Sequence, residues 1–98
     1  MNILLVCACG ASTSILVEAM KNALTESEAD WFIEAKSIQE VKESVGKYDV
    51  ILMAPQIRYQ RKMLEEIAAP YDITVLDIDS VAYGTCNGEK ILNSVRSL

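Results

Sequence analysis

The sequence of 98 residues contains no histidine. Ser-His and Cys-His catalytic pairs are therefore excluded, because both use an imidazole as the base. A phosphohistidine carrier and a zinc site with imidazole ligands are excluded for the same reason. This one absence removes several common classes of enzyme and metal site.

Cationic residues and long apolar runs are also scarce. Nine lysines and arginines stand against 14 acidic residues, which gives a net charge of −5. A nucleic-acid partner is not expected, because proteins that bind nucleic acids carry basic patches. The apolar run Ile3–Val6 is too short for a signal peptide or a membrane span. We therefore expect a cytoplasmic protein.

The three cysteines are Cys7, Cys9 and Cys86, an odd number that argues against a disulfide framework in a cytoplasmic protein. One residue separates Cys7 from Cys9, whereas the recognised redox spacing has two. The favoured interpretation therefore has no metal and no cofactor. A strained redox pair, or a three-thiolate metal site that includes Cys86, is the alternative.

Short apolar segments alternate with segments of helical periodicity along the chain. The predicted strands are 2–6, 31–35, 49–53 and 73–78, and the second is polar enough to lie at a sheet edge. Strands that alternate with helices predict a parallel sheet with helices on both faces. Residues 1–98 are expected to form one α/β domain with a four-stranded, Rossmann-like, three-layer α/β/α fold.

Apolar residues at helical spacing predict the inward faces of four helices. The first helix begins at Thr13, the second ends at Gly46, the third ends at Pro70, and the fourth closes the chain. The predicted inward residues are, helix by helix, Ile15, Leu16, Ala19, Met20, Ala23 and Leu24; Ile38, Val41 and Val45; Met63, Leu64 and Ile67; and Ile91, Leu92, Val95 and Leu98.

Three loops are predicted at the carboxyl ends of the strands, where parallel sheets bind their ligands. They are 7–14, 54–59 and 79–88. The first has a cysteine at its start, small residues within it and consecutive hydroxyl side chains at its end. Such a loop before a helix directs backbone N–H groups and the positive helix end at one point, which suits phosphate. The same field favours the thiolate of Cys7 over the thiol.

Phosphatases that form a thiophosphate intermediate use a similar loop, in which an arginine follows the cysteine after five residues. Thr13 stands at that position here, so the loop lacks the guanidinium that stabilises charge in phosphoryl transfer. Asp77 and Asp79 remain candidates for a leaving-group acid, although neither is clearly placed for that role. A phosphate carrier is therefore favoured, and an enzyme like a low-molecular-weight tyrosine phosphatase or an arsenate reductase is the alternative.

Four segments in one consistent order carry a family pattern. They are Leu5–Ser14, Ile33–Ala35, Ala54–Tyr59 and Asp77–Gly84. Together they resemble the lactose/cellobiose-class enzyme IIB component of the bacterial phosphoenolpyruvate-dependent sugar phosphotransferase system. The resemblance implies a four-stranded parallel sheet with flanking helices. It also implies that phosphate arrives from a phosphohistidine on a IIA partner and leaves to a sugar held by the membrane IIC transporter.

On this resemblance Cys7 is the phosphocysteine of a transferase that stays peripheral to the membrane through IIC. The implied sugar is a disaccharide such as cellobiose or lactose. The implied phosphate-binding loop consists of Ala8, Cys9, Gly10, Ala11, Ser12, Thr13 and Ser14. The accessory candidates in the neighbouring loops are Gln56, Arg58, Tyr59 and Tyr83.

Two residues depart from the family pattern. Cys9 replaces an expected small residue without a thiol, and it is interpreted as a tolerated small residue. Arg58 replaces a less polar residue, and two interpretations remain open for it. The favoured one is a basic patch with Arg61 and Lys62 that meets an acidic partner, and the other is a cation near the phosphate. A regulatory domain of the same fold, without catalysis, is a further alternative for the whole chain.

Overall fold

The computed structural model describes residues 1–7, 13–41 and 45–98. Its strands form one four-stranded sheet in the order β2-β1-β3-β4, and every neighbouring pair is parallel. The strands are β1 Asn2–Cys7, β2 Phe32–Ser37, β3 Val50–Met53 and β4 Thr74–Asp77. The predicted parallel sheet, with its second strand at an edge, is confirmed.

The central strands are apolar along their length because both faces of the sheet are covered. Residues 3 to 6 of β1 and 51 to 53 of β3 are fully buried. The edge strand β2 has one buried residue, Ile33, and otherwise partly or well exposed side chains. Burial thus follows the position of each strand in the sheet, as the sequence pattern predicts.

The α-helices are α1 Thr13–Asn22, α2 Arg61–Ala68, α3 Ser80–Gly84 and α4 Gly88–Arg96. Short 3-10 turns lie between them, at Glu26–Glu28, Ile38–Glu40, Val45–Lys47, Pro55–Gln60 and Ala69–Tyr71. Where the second helix is predicted, Ile38–Glu40 and Val45–Lys47 are 3-10 turns and Val41 is α-helical. Residues 42–44 lie outside the described part of the chain, so the extent of this helix stays a prediction. Its predicted inward residues Ile38, Val41 and Val45 are all buried.

Helices α1 and α4 cover one face of the sheet. Leu16, Val17 and Met20 of α1 pack with Ile91, Leu92 and Val95 of α4 against Ile3 and Leu5 of β1. The prediction that Ile15 and Leu98 face inward is wrong, since they are 65% and 61% exposed. The buried stripe of α1 is shifted by one position, so Val17 takes the inward place. Leu98 lies beyond the end of α4.

Helix α2 and the turns Ile38–Glu40 and Val45–Lys47 cover the other face. Leu64 and Ala68 of α2 pack in the same cluster as Ile51 and Val75 of the sheet. Met63 was predicted to face inward, but it is 40% exposed. Ala68 lies one turn beyond Leu64 on the same helix face. The inward face of α2 therefore consists of Leu64 and Ala68 and does not include Met63.

The predicted loop 79–88 is wrong in part, because it contains the short helix α3. The Asp79 carboxylate caps that helix by accepting the Ala82 N–H at 2.9 Å. Asn87 caps the following helix α4 in the same way, accepting from the Lys90 N–H at 3.1 Å. Asp and Asn at these positions are typical helix N-caps. This pattern in the sequence indicates that two helices begin within the segment that was predicted as one loop.

Backbone contact joins α1 to α4 at Gly88, the first residue of α4. A Cβ at this position would lie 2.5 Å from the carbonyl carbon and oxygen of Ala19 and from the Met20 nitrogen. No side chain fits there without moving the backbone of α1. The glycine therefore sets how closely the two helices approach.

An ion pair lies on the same face of the sheet as α1 and α4. Glu28 is 8% exposed, and its carboxylate accepts the Arg96 Nε–H at 2.7 Å and an Nη2–H at 2.6 Å. Arg96 also donates to the Ala23 carbonyl at 3.1 Å. The pair fastens the end of α4 to the connection between α1 and β2.

Candidate functional site

The candidate site lies at the carboxyl edge of the sheet, where the chain order changes direction between β1 and β3. The Ala54 N–H donates to the Val6 carbonyl at 2.9 Å, and the Ile78 N–H donates to the Met53 carbonyl at 3.0 Å. These bonds continue the strand register, so Cys7, Ala54 and Ile78 lie side by side. Ligands of open parallel sheets bind at this kind of switch point. The starts of the second and third predicted loops therefore meet beside Cys7.

Cys7 is the last residue of β1, one position beyond the predicted end of that strand. Its side chain is 1% exposed, and its Sγ lies 3.8 Å from the Lys36 carbonyl oxygen. The thiol is thus held against the backbone of the edge strand β2. The sulfur therefore lies on the β2 side of β1, at the carboxyl end of the sheet.

The predicted phosphate-binding loop falls largely outside the described residues. Residues 8–12, which include Cys9 and Ser12, are not among those described. Thr13 and Ser14 begin helix α1. Cys7 and the first turn of α1 therefore flank the loop from its two ends, and the roles of residues 8–12 stay predictions.

Two accessory candidates meet directly. Gln56 follows β3 and Tyr83 lies in α3, and the Gln56 Nε2 donates to the Tyr83 hydroxyl at 3.1 Å. The Tyr83 ring is partly buried and packs against both core clusters. Ile57, which is 1% exposed, anchors the turn that carries Gln56. The hydrogen bond therefore joins two well-anchored segments beside the edge of the sheet.

Arg58 makes a second connection between the same two segments. Its Nη2 donates to the Ser80 hydroxyl at 3.1 Å, and its Nε lies 3.4 Å from the Pro55 carbonyl. Tyr59, the next residue, is 75% exposed. Neither partner of Arg58 was predicted, because serine and proline carry no charge signal in the sequence.

A small cleft of about 220 Å³ lies beside Arg58 at the ends of β3 and β4. Its walls contain both aspartates that were candidates for a leaving-group acid. The lining residues are Pro55, Arg58, Asp77, Ile78, Asp79 and Ser80.

Both of these aspartates already have partners. Arg61 forms an ion pair with Asp77 through its Nη1. The hydrogen bond from the Ala82 N–H, together with Lys90 at 3.6 Å, lowers the pKa of Asp79. A general acid must carry a proton at working pH. The lowered pKa therefore argues against a phosphatase that uses Asp79 as its acid, and the carboxylate of Asp77 is engaged by Arg61.

Cys7 and Cys86 differ in burial and in their place in the fold. Cys86 is exposed, in the turn between α3 and α4, whereas Cys7 is buried at the end of β1. Within the described ranges, no group of three or more His, Cys, Asp or Glu side chains could hold a metal ion. Cys9 lies outside those ranges, so the three-thiolate alternative is not tested.

The whole chain, including this edge of the sheet, matches a known family. The family model described as "PTS system, Lactose/Cellobiose specific IIB subunit" matches residues 2–94. The chain belongs to this family. The resemblance predicted from the four sequence motifs is therefore confirmed, and a general phosphotransferase role comes with the family.

A curated relative and two solved structures extend the match. The oligo-beta-mannoside-specific EIIB component of Bacillus subtilis is 36% identical over 96 residues, which cover 98% of this chain and 93% of the relative. A cellobiose-specific IIB component from Borrelia burgdorferi has a TM-score of 0.79 at 42% identity, over 99% of this chain and 89% of that one. A lactose-specific IIB domain from Streptococcus pneumoniae has a TM-score of 0.85 at 20% identity, over 99% and 95% of the two chains. These neighbours confirm the predicted α/β fold.

IIB components generally work with IIA and IIC components and a sugar. In the described part of this IIB chain, no helix is both long enough and apolar enough to cross a membrane.

Proposed function

We propose that Cys7 carries a phosphoryl group between a phosphohistidine on a IIA protein and a sugar bound by the IIC transporter. The observation that carries the proposal is the position of Cys7 at the end of β1, at the switch point of the sheet and before the start of α1. Membership of the IIB family supports it.

The transfer consists of two displacements at phosphorus. In the first, the Cys7 thiolate attacks the phosphorus, an S–P bond forms, the P–N bond of the phosphohistidine breaks, and the imidazole nitrogen keeps the electron pair. In the second, a sugar hydroxyl attacks the phosphorus, an O–P bond forms, the hydroxyl proton passes to water, and the S–P bond breaks to return the thiolate. The backbone N–H groups and hydroxyls of residues 8–14 are assigned to hold the phosphoryl oxygens in both steps.

The partners of the two candidate aspartates fit a carrier better than a hydrolase. Asp77 is paired with Arg61, and Asp79 caps α3. Hydrolysis of a phosphocysteine needs a base that takes a proton from the attacking water, and these contacts occupy both carboxylates. The phosphoryl group therefore stays on sulfur until an acceptor hydroxyl arrives.

The proposed sugar is a disaccharide such as cellobiose or lactose. The names of the relatives concern cellobiose, oligo-beta-mannosides and galactose, and the first two consist of β-linked hexose units. The proposed location is the cytoplasm, at the membrane surface through contact with IIC. One domain formed by residues 1–98 is sufficient for the carrier step in this proposal.

Label transfer tests the proposal. The chain is incubated with labelled phosphoenolpyruvate, the general phosphotransferase proteins and a IIA protein of the lactose/cellobiose class. Label is expected on the wild type, at most traces on Cys7→Ser, and most of the wild-type level on Cys9→Ser. Label on Cys7→Ser together with its loss from Cys9→Ser would contradict the assignment. Rapid turnover of an aryl phosphate without IIA would instead support the phosphatase alternative.

A further inference from the structure

Arg58 differs from the other arginines of the chain in its partners. Arg61 forms ion pairs with Glu65 and Asp77, and Arg96 forms one with Glu28. Within the described part of the chain, Arg58 donates to the neutral oxygens of Ser80 and Pro55 alone. In residues 1–7, 13–41 and 45–98, no carboxylate lies within ion-pair distance of it, so its charge is not neutralised by a neighbour.

The guanidinium of Arg58 keeps donors for another group. An arginine has five N–H donors in a planar fork, and the two contacts of Arg58 use only part of that set. A planar fork of this kind suits bidentate binding of a carboxylate. The aspartates that share the cleft are held by Arg61 and Lys90, which reduces their repulsion toward an incoming anion.

The cleft lies at the ends of β3 and β4, whereas the Cys7 sulfur lies against β2 on the other side of β1. Ile78, at the cleft wall, is two strands away from Cys7 in the sheet order. Neighbouring strands are about 4.8 Å apart, so the lateral separation is roughly 10 Å. A protein that docks over Cys7 covers about 800 Å² and therefore reaches the cleft as well.

Exposed apolar side chains next to the cleft fit a protein partner better than a small anion. Tyr59 and Val81 are 75% and 67% exposed, and they adjoin Arg58 and Ser80 in the sequence. Interfaces between proteins commonly combine exposed aromatic and aliphatic contacts with an arginine.

We propose that Arg58 binds a carboxylate of the phosphate-donor protein and so helps to select that donor. The inference rests on the proposed function, because the donor is the IIA protein that phosphorylates Cys7. It assigns Arg58 to partner recognition at the rim of the site, with no contact to the transferred phosphoryl group.

The test is the steady-state phosphorylation of Arg58→Gln by a phosphorylated IIA protein of the lactose/cellobiose class, at low and at high ionic strength. The KM for the IIA protein is expected to rise about three- to fivefold at low salt, while kcat stays near the wild-type value. The difference is expected to shrink at high salt, because salt screens exposed charges. Arg58→Lys should retain most of the low-salt affinity.

Lys47→Gln is the matched control, since Lys47 is an exposed cation beside Asn2, at the amino end of β1 and away from the cleft. It removes the same charge and should change KM little. The inference is overturned if Arg58→Gln and Lys47→Gln behave alike, or if Arg58→Gln lowers kcat with KM unchanged. If the wild type itself takes up no phosphate on Cys7, the proposed function fails, and the inference falls with it. If the wild type is phosphorylated on Cys7 and Arg58→Gln has the wild-type KM, the inference is overturned and the proposed function stands.

Discussion

The Gln56 side chain donates a hydrogen bond of 3.1 Å to the Tyr83 hydroxyl and so ties the segment after β3 to α3. These segments follow neighbouring strands of the sheet and border the position of Cys7. The link gives the family motifs around Gln56 and Tyr83 a shared structural role, because each motif supplies one partner.

Tyr83→Phe removes the hydroxyl and keeps the ring in the core. We expect the free energy of unfolding to fall by about 0.5–1 kcal/mol, since one partly exposed hydrogen bond is lost. Urea unfolding followed by circular dichroism measures the change. Tyr59→Phe is the control, because Tyr59 is 75% exposed and should tolerate the same change. Equal effects in the two variants would contradict a specific role for the link.

The ion pair between Glu28 and Arg96 makes stability depend on acid pH. The hydrogen bond from Arg96, then that from Thr25, lowers the pKa of Glu28 from 4.5 to about 2. A lowered pKa in the folded state contributes stability that is complete above the ordinary value and is lost as the pH falls through the folded value. The loss should therefore develop between about pH 4.5 and pH 2.

Glu28→Gln tests this relation through the melting temperature between pH 7 and pH 2. The variant should melt below the wild type at pH 7, and the difference should narrow as the pH falls below 4.5. Glu26→Gln on the same 3-10 turn is the control, and it should run parallel to the wild type. A constant difference for Glu28→Gln down to pH 2 would show that the pair does not titrate as described.

Gly88 provides a test of the contact between α1 and α4. Gly88→Ala places a Cβ 2.5 Å from the backbone of Ala19 and Met20, so we expect a loss of about 2–3 kcal/mol in unfolding free energy. Gly84→Ala is the control, since a Cβ there meets nothing within 4 Å. It should be neutral or stabilise the chain by up to about 1 kcal/mol. Similar stability of the two variants would contradict the close approach.

Cys86 has a backbone φ of 53°, a left-handed conformation that strains most side chains. Asparagine tolerates this conformation better. We expect Cys86→Asn to stabilise the chain by about 0.5–1 kcal/mol, measured by urea unfolding. Phosphoryl acceptance should remain unchanged, because Cys86 has no role in the proposed transfer. A loss of acceptance would favour the alternative that joins the cysteines in one site.

The sheet could be predicted from the sequence because its central strands β1 and β3 carry continuous apolar runs. Residues 3 to 6 and 51 to 53 are fully buried, as such runs indicate. The inward faces of the helices are predicted less accurately than the strands, because a shift of one position in the sequence moves a residue by about 100° around the helix axis. That shift explains why Ile15 is exposed while Val17 is buried.

The contacts around the candidate site could be predicted only in part. Chain order and the switch-point rule placed the segments of Cys7, Gln56 and Tyr83 at one edge. The bond between Gln56 and Tyr83 depends on how α3 is oriented, and no spacing in the sequence encodes that. The partner of Arg58 is Ser80, a neutral residue, so charge patterning gave no indication of it.

The most direct test of the central claim locates the phosphoryl group by mass spectrometry. The chain is phosphorylated through phosphoenolpyruvate, the general phosphotransferase proteins and IIA, and is then digested at neutral pH and mapped. The phosphocysteine account predicts one phosphoryl group on Cys7 of both the wild type and Cys9→Ser, released when iodine oxidises the sulfur. A phosphoryl group on Cys9 or on a hydroxyl, with Cys7 unmodified, would contradict it.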